Sequence, residues 1–225
     1  MRIVRTEPAH RELDSYAALR RAWPRFILHD AVSNEHWGRL FSEFADFQFV
    51  AVEDGEVLAE GCAIPVGGMP QAWRQAFLSD GEPDRLCAIQ VLVSPEHHGR
   101  GLSGPMLEHM RGLAGARGWR LYAPVRPTWK ERYPLIPIER YAAWRRDDGL
   151  LFDPWLRVHE RLGATVHGVA EGAMRIEGSR AEWEDWTGME FPEPGSYVVP
   201  GALVPVEFDD EGGLYVEPNV WIRHP

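Results

Sequence analysis

Alternating apolar positions over residues 2–6 predict a short first strand, which Pro8 stops. Leu13, Tyr16, Ala17 and Trp23 then mark one helical face. After "RFILHDAVS", Asn34 is a candidate N-cap, and Trp37, Leu40, Phe41 and Phe44 follow at i, i+3, i+4 and i+7, the spacing of an amphipathic helix. The segment "FQFVAVEDGEVLAEGCAIPV" holds two strand runs around Asp54-Gly55. Asp-Gly supplies the positive φ of a tight turn, so the two strands pair antiparallel. Residues 66–83 read as loop, with a short helix at most around "QAWRQAF".

"DRLCAIQVLV" is a continuous apolar run, as a central strand buried on both faces requires. It passes through Ser94-Pro95 into the glycine-rich "HHGRGLSG", after which Leu102, Met106, Met110 and Leu113 define a helix ending near Gly115 or Gly118. "RLYAPV" is the next strand. From Arg126 to Asp153 the chain is rich in Pro, Trp, Tyr and Arg, with no clean period. "PWLRVHERLG" is a short helix closed by Gly163, "ATVHGVA" a strand, and the remainder mixes short strand runs with turns. With no repeat, low-complexity tract or linker, residues 1–225 read as one α/β domain carrying an insert at about 126–153 and a C-terminal extension after about 170.

Composition narrows the setting. A chain that is 44% hydrophobic with ten tryptophans can bury a sizeable core. No run approaches the roughly 18 apolar residues of a membrane helix. The N-terminal "MRIVRTEPAH" has no apolar signal region and reads as the first strand, and the two cysteines are those expected of a cytoplasmic protein. Cys62 and Cys87 both lie in apolar strand runs and read as reduced core residues. The net charge of -10 disfavours nucleic acid, because phosphates are repelled, and mildly favours a cationic substrate such as an amine.

Candidate chemistry centres on His97–Gly104. From Gly99 the stretch spells G-x-G-x-x-G, the dinucleotide fingerprint; from His98 it is close to Gln/Arg-x-x-Gly-x-Gly/Ala, a loop that holds coenzyme A. Packing alone also explains a glycine-rich connection. Between a strand and a helix, however, successive amides and the helix's positive end converge on one point, which suits a pyrophosphate, and Arg100 adds a mobile charge. A dinucleotide site needs an acidic residue about 20 positions on, and "RLYAPVR" offers only Arg120 and Arg126. An Arg suits a 2′-phosphate, so NADP stays open, although a hairpin-fed central strand argues against a parallel β-α-β unit. A P-loop is excluded, since no Lys-Ser or Lys-Thr follows the glycines.

The run "VLVSPEHHGRGLSGPMLEHM" resembles the GCN5-related N-acetyltransferase (GNAT) superfamily, and the order of elements from residue 2 to about 170 agrees with it. The resemblance implies a mixed, mostly antiparallel sheet with a central V-shaped splay and helices on both faces. It implies acyl-CoA, by default acetyl-CoA, as co-substrate: His98, Gly99, Arg100, Gly101, Leu102 and Ser103 would hold the pyrophosphate, and the backbone of Leu92 and Val93 would pair with the pantetheine arm. The reaction it implies is direct acyl transfer to an amine; a small-molecule or peptide acceptor is expected, with no metal, nucleic acid or membrane partner, and with a homodimer as an option. Departures are His98 for Gln or Arg, Ser103 for Gly or Ala, Pro105 early in the helix, and Ala164 for the usual Phe after Gly163.

Amine acylation needs a base for the ammonium proton and an acid for the leaving thiolate. His159 stands where the family often has a Tyr acid; an imidazole near its ordinary pKa of about 6.5 donates a proton at neutral pH. The competing reading is a helix-face histidine. The central strand carries no interior carboxylate, Gln90 could only orient water, and Glu60 is the candidate base, against its reading as a solvated strand residue. Trp129 and Tyr133 are candidate walls of the acceptor site, against their reading as packing residues of a capping insert. His97-His98 lack a third ligand at metal-site spacing, and "EWEDWTG" reads as a capped surface helix with two packing tryptophans. The alternatives to an acyltransferase are a non-catalytic acyl-CoA-binding protein of the same fold and, more distantly, an NADP-dependent oxidoreductase.

Overall fold

The computed structural model describes residues 1–225, the side chain of Trp73 excepted. Its strands are β1 (Arg2–Arg5), β2 (Gln48–Glu53), β3 (Glu56–Val66), β4 (Arg85–Val93), β5 (Arg120–Val125), β6 (Thr165–Gly178), β7 (Gly195–Tyr197), β8 (Val206–Phe208) and β9 (Gly213–Arg223). They form one mixed sheet in the order β1-β2-β3-β4-β5-β9-β8-β7, with β6 also paired to β9. The β2–β3 hairpin turns at Asp54 (φ 50°) and Gly55 (φ 87°), the left-handed pair that the Asp-Gly dipeptide predicts.

The helical segments are α1 (Pro8–Arg11), α2 (Asp14–Ala18), α3 (Ala31–His36), α4 (Arg39–Ser42), α5 (Trp73–Ala76), α6 (Ser103–Gly115), α7 (Ile138–Ala142), α8 (Pro154–Arg161) and α9 (Arg180–Thr187), with short 3-10 turns between several of them. The amphipathic helix expected after Asn34 is instead α3 and α4, interrupted at Trp37–Gly38. Its cap is Asp30, whose carboxylate accepts from the Ser33 amide at 2.7 Å; Asn34 lies inside the first turns. An Asp three residues before a free helical amide outcompetes the later Asn. Elsewhere the signals hold: Asp153 caps α8, Gly163 follows it at φ 80°, and α9 runs from a Ser179–Glu182 capping box to Gly188 in the left-handed region.

Strand alternation sends Cys62, Ile64 and Cys87 to one face, where Phe26, Phe77, Trp183, Phe191 and Trp221 cover them. Ala63 and Leu86 face the other layer, with Met106, Met110, Leu121 and Leu156. Helices therefore cover both faces of the sheet.

Two features open the middle. β4 and β5 run parallel but pair only through Arg85–Arg120, Leu86–Leu121 and Cys87–Tyr122. Against β3, Cys62 faces Gln90 while Ala63 faces Ala88, so Ile89 is the extra residue of a β-bulge. A bulge bends its strand and strengthens the twist, and here it falls just past the last β4–β5 pair. Beyond it the two strands diverge into the expected splay. β4, α6 and β5 also form a parallel β-α-β unit after all, so the hairpin does not by itself argue against a dinucleotide loop. The C-terminal extension, unassigned by any pattern, supplies β9, which inserts between β5 and β6 through Tyr122–Arg223 and Thr165–Arg223.

Candidate active site

The splay opens into a cavity of about 900 Å³. Ala88–Val93 of β4 and Ala123–Val125 of β5 line it, together with His97–Gly99 and Gly101–Ser103 of the loop and with Trp23, Trp37, Phe41, Glu131, Glu217 and Asn219. A strand pair prised apart leaves its facing backbone groups without partners, so an extended ligand arm can add as a strand between them. Leu92 and Val93 sit in that position.

In the loop, Gly99 and Gly101 take φ of 81° and 73°, which turns successive amides toward one side. The amides of Gly99, Gly101, Leu102, Ser103 and Gly104 make no hydrogen bond among the described residues, and α6 begins at Ser103. Pro105 sits in the first turn of α6, where a missing N–H costs nothing. Amides so arranged suit an anion. Two side chains depart from expectation. Arg100 is held by Glu53 at 2.7 Å and does not line the cavity, and that contact with the N-terminal amine takes the Glu53 carboxyl down to about 2. His98 donates through Nε2 to the Val93 carbonyl at 3.0 Å, so it fastens the loop to β4.

Glu60 corrects its reading as a solvated residue. It is 4% exposed, sits opposite Leu92 in the β3–β4 ladder and lines the cavity. The Tyr16 hydroxyl donates to its Oε1, and Gln90 donates to Oε2 at 2.7 Å. Burial raises the Glu60 carboxyl above the ordinary carboxylate range, against the opposing pull of the Tyr16, Cys62 and Gln90 donors. The signal that finds it is positional, a single carboxylate in the apolar run "VLAEGCAIPV", and its strength shows only once the β4 neighbour is known.

His159 also lines the cavity, from α8, but not as the sequence suggests. It is 1% exposed, its Nδ1 lies 2.9 Å from His224 Nε2, and its Nε2 is buried with no hydrogen-bond partner among the described residues. Burial first, then His224, drives its pKa well below 6.5. The premise of a protonated imidazole at neutral pH therefore fails: the ring is neutral, and giving up its last proton would create an imidazolate. What a neutral ring can offer is a hydrogen bond from Nε2–H, with His224 donating to Nδ1.

Trp129 and Tyr133 lie outside the cavity lining. Trp129 packs edge-on against Phe152, and Tyr133 joins Tyr141, Trp144 and Phe152 in an aromatic cluster. Large flat rings find more contact among themselves than at a wet wall. The insert reaches the cavity through Arg126, Thr128 and Glu131 instead. Sequence reasoning missed Glu217, Asn219 and His224, all on or next to β9. No group of His, Cys, Asp and Glu is arranged to hold a metal ion among the described residues, and no helix there is long and apolar enough to cross a membrane.

A β-bulge-opened splay, a loop of free amides and a buried carboxylate beside the gap define an acyl-CoA-dependent N-acyltransferase. The chain belongs to the GCN5-related N-acetyltransferase superfamily. It is 32% identical to the arginine N-acetyltransferase avaD of Aspergillus versicolor, in a match covering 90% of this chain and 85% of that protein. In fold it is similar to the loading GNATL domain of CurA from Lyngbya majuscula (TM-score 0.68, 18% identity, covering 99% of this chain and 96% of that one). It is similar as well to the GphF GNAT-like decarboxylase in complex with isobutyryl-CoA (TM-score 0.64, 19% identity, covering 100% of this chain and 98% of that one). No family model matches. The likeness of fold thus runs through the C-terminal extension, beyond about residue 170, where the order of elements read from the sequence stops matching the family. The non-catalytic and NADP-dependent alternatives are set aside in favour of the acyltransferase.

Proposed function

We propose that the chain transfers an acetyl group from acetyl-CoA to a nitrogen of a cationic acceptor of the arginine kind, with Glu60 as the base. The observation that carries this is Glu60 itself: a buried carboxylate on the cavity wall, opposite the strand that faces the splay. The acceptor class is supported by the name of the 32% identical relative and by Glu60 and Glu131 on the lining of one cavity, which suit a cation. The loop amides of residues 98–103 would receive the pyrophosphate, and the Leu92 and Val93 backbone the pantetheine arm.

Glu60 takes a proton from the acceptor's ammonium, directly or through one water. The neutral nitrogen attacks the thioester carbonyl carbon, a C–N bond forms, the C–S bond breaks, the thiolate leaves with its electron pair, and the second proton shed by the acylated nitrogen passes to that thiolate or to water. His159 Nε2–H steadies that developing charge by hydrogen bonding rather than by handing over its proton. Buried free thiols at Cys62 and Cys87 fit a reducing compartment and take no part.

Thiol release from acetyl-CoA with arginine, together with the mass of the product, tests the reaction. Since the Glu60 carboxyl titrates above the ordinary range and acts only when ionised, kcat should rise with pH through that raised value. Glu60→Gln should lower kcat about 10²-fold and abolish the rising limb. A variant that keeps both rate and limb removes Glu60 from the base role.

A further inference from the structure

The cavity wall holds a cation whose own partners do not use it up. Arg126 follows β5 and lines the cavity, its side chain 15% exposed. Its Nε donates to both oxygens of Glu217, at 3.1 and 2.9 Å, and Nη2 donates to the Gly201 carbonyl. Glu217 is fully buried and already saturated: the Tyr215 hydroxyl donates to Oε2 at 2.6 Å and Asn219 Nδ2 to Oε1 at 3.0 Å. Glu217 therefore has no acceptor capacity left for a cationic ligand. A guanidinium carries five N–H groups, and Nη1 of Arg126 makes no hydrogen bond among the described residues. A rigid guanidinium edge left open in a cavity is matched in shape and charge by a carboxylate.

The edge is also in the right place. The Trp23 ring centre lies 6.0 Å from the Arg126 guanidinium carbon; its Nε1 donates to Gln90 Oε1 at 3.2 Å, and Gln90 in turn donates to Glu60. One continuous wall thus runs from the base to the open guanidinium. Two lining carboxylates, Glu60 and Glu131, remain for cationic groups, and Arg126 is the lining arginine that a buried carboxylate holds in place with one edge open. Two positive groups and one carboxylate is the charge pattern of a basic amino acid. Arg11, Arg20 and Arg21 also line the cavity, but all three are exposed; Arg11 lies over the Phe41 ring at 4.0 Å, and Arg21 pairs with exposed Glu96 at 3.7 Å.

We propose that Arg126 determines acceptor specificity by binding the acceptor's free carboxylate, so that the enzyme selects an amino acid over the corresponding simple amine. This rests on the reading that Glu60 acts on an acceptor bound in this cavity. It does not require the acceptor to be arginine.

The test compares each amino acid with its decarboxylated counterpart, arginine with agmatine and lysine with cadaverine, using wild-type protein with acetyl-CoA and with succinyl-CoA. A desolvated charge-assisted pair should favour the amino acid by about 10²-fold in kcat/KM. In Arg126→Lys, which keeps a cation beside buried Glu217, that ratio should shrink at least about tenfold, while circular dichroism and the KM for acetyl-CoA report an intact fold. Arginine and agmatine turned over equally would overturn the anchor and leave amine acetylation standing. Lysine favoured over cadaverine with arginine inert would remove the arginine reading and keep the anchor. A preference for succinyl-CoA regardless of acceptor would give the edge to the acyl group, and no turnover with any acceptor would overturn both readings.

Discussion

His159 shows how far burial can redirect a residue. In water an imidazole is an acid–base group near neutrality; enclosed by α8, Trp155 and His224 it is a neutral dipole. The expected consequence is a hydrogen-bond effect, not a titration. His159→Ala should lower kcat by about 10- to 100-fold, the worth of one bond to a charged group, with the KM for acetyl-CoA nearly level and no change in the pH profile between 6 and 8. Steady-state kinetics across that range decide it: a profile whose alkaline limb moves in the variant would restore the proton-donor role.

At the scale of elements, the insert and α8 share one fastening. Asp153 is 1% exposed; its Oδ1 caps the Trp155 and Leu156 amides at 2.9 and 3.1 Å. Its Oδ2 accepts from the Trp129 amide and the Tyr141 hydroxyl, both at 2.8 Å. One carboxylate thus orders both the start of α8 and the aromatic cluster of the insert. Losing the cap and the buried phenol's partner should cost about 2–3 kcal/mol. Thermal melting of Asp153→Ala should therefore fall by about 5–10 °C. The loop at residues 98–103 lies on a different element, so acetyl-CoA affinity should persist below the melt. A shift under 2 °C would mean the insert is held by its ring packing alone.

Across the whole molecule, the C-terminus is tied to α8 by two histidines that fold neutral. Burial takes His224 down to about 4, and burial with His224 takes His159 well below 6.5. Unfolded histidines titrate near 6.5, so below that pH the unfolded chain binds more protons than the folded one. The stability these groups contribute is complete above about pH 6.5 and is lost as pH falls toward 4. Half-buried His109, depressed by burial, adds in the same direction. Denaturant melts between pH 6.5 and 5, above most carboxylate titration, should show wild type weakening. The double variant His159→Gln, His224→Gln should show a shallower slope; an equal slope would mean the pair does not govern the acid limb.

What the sequence determined by itself is what short-range physics can carry. The Asp-Gly turn, the capped α9, the Asp153–Gly163 bounds of α8 and the loop with glycines at its left-handed positions all depend on residues within a few places of one another. So does the family likeness through the loop. The bulge at Ile89, the insertion of β9 between β5 and β6, and the company kept by Glu60 were decided by tertiary structure. Glu60 becomes a buried group only because Tyr16 and Gln90, distant in the chain, close over it. Arg126 becomes a half-used cation only because Glu217 arrives 91 residues later. Trp129 and Tyr133 went the other way, since rings that look like a wall in one dimension find one another in three. Charge, burial and partner count are properties of neighbourhoods, and the neighbourhoods here are assembled by strand pairing across the length of the chain.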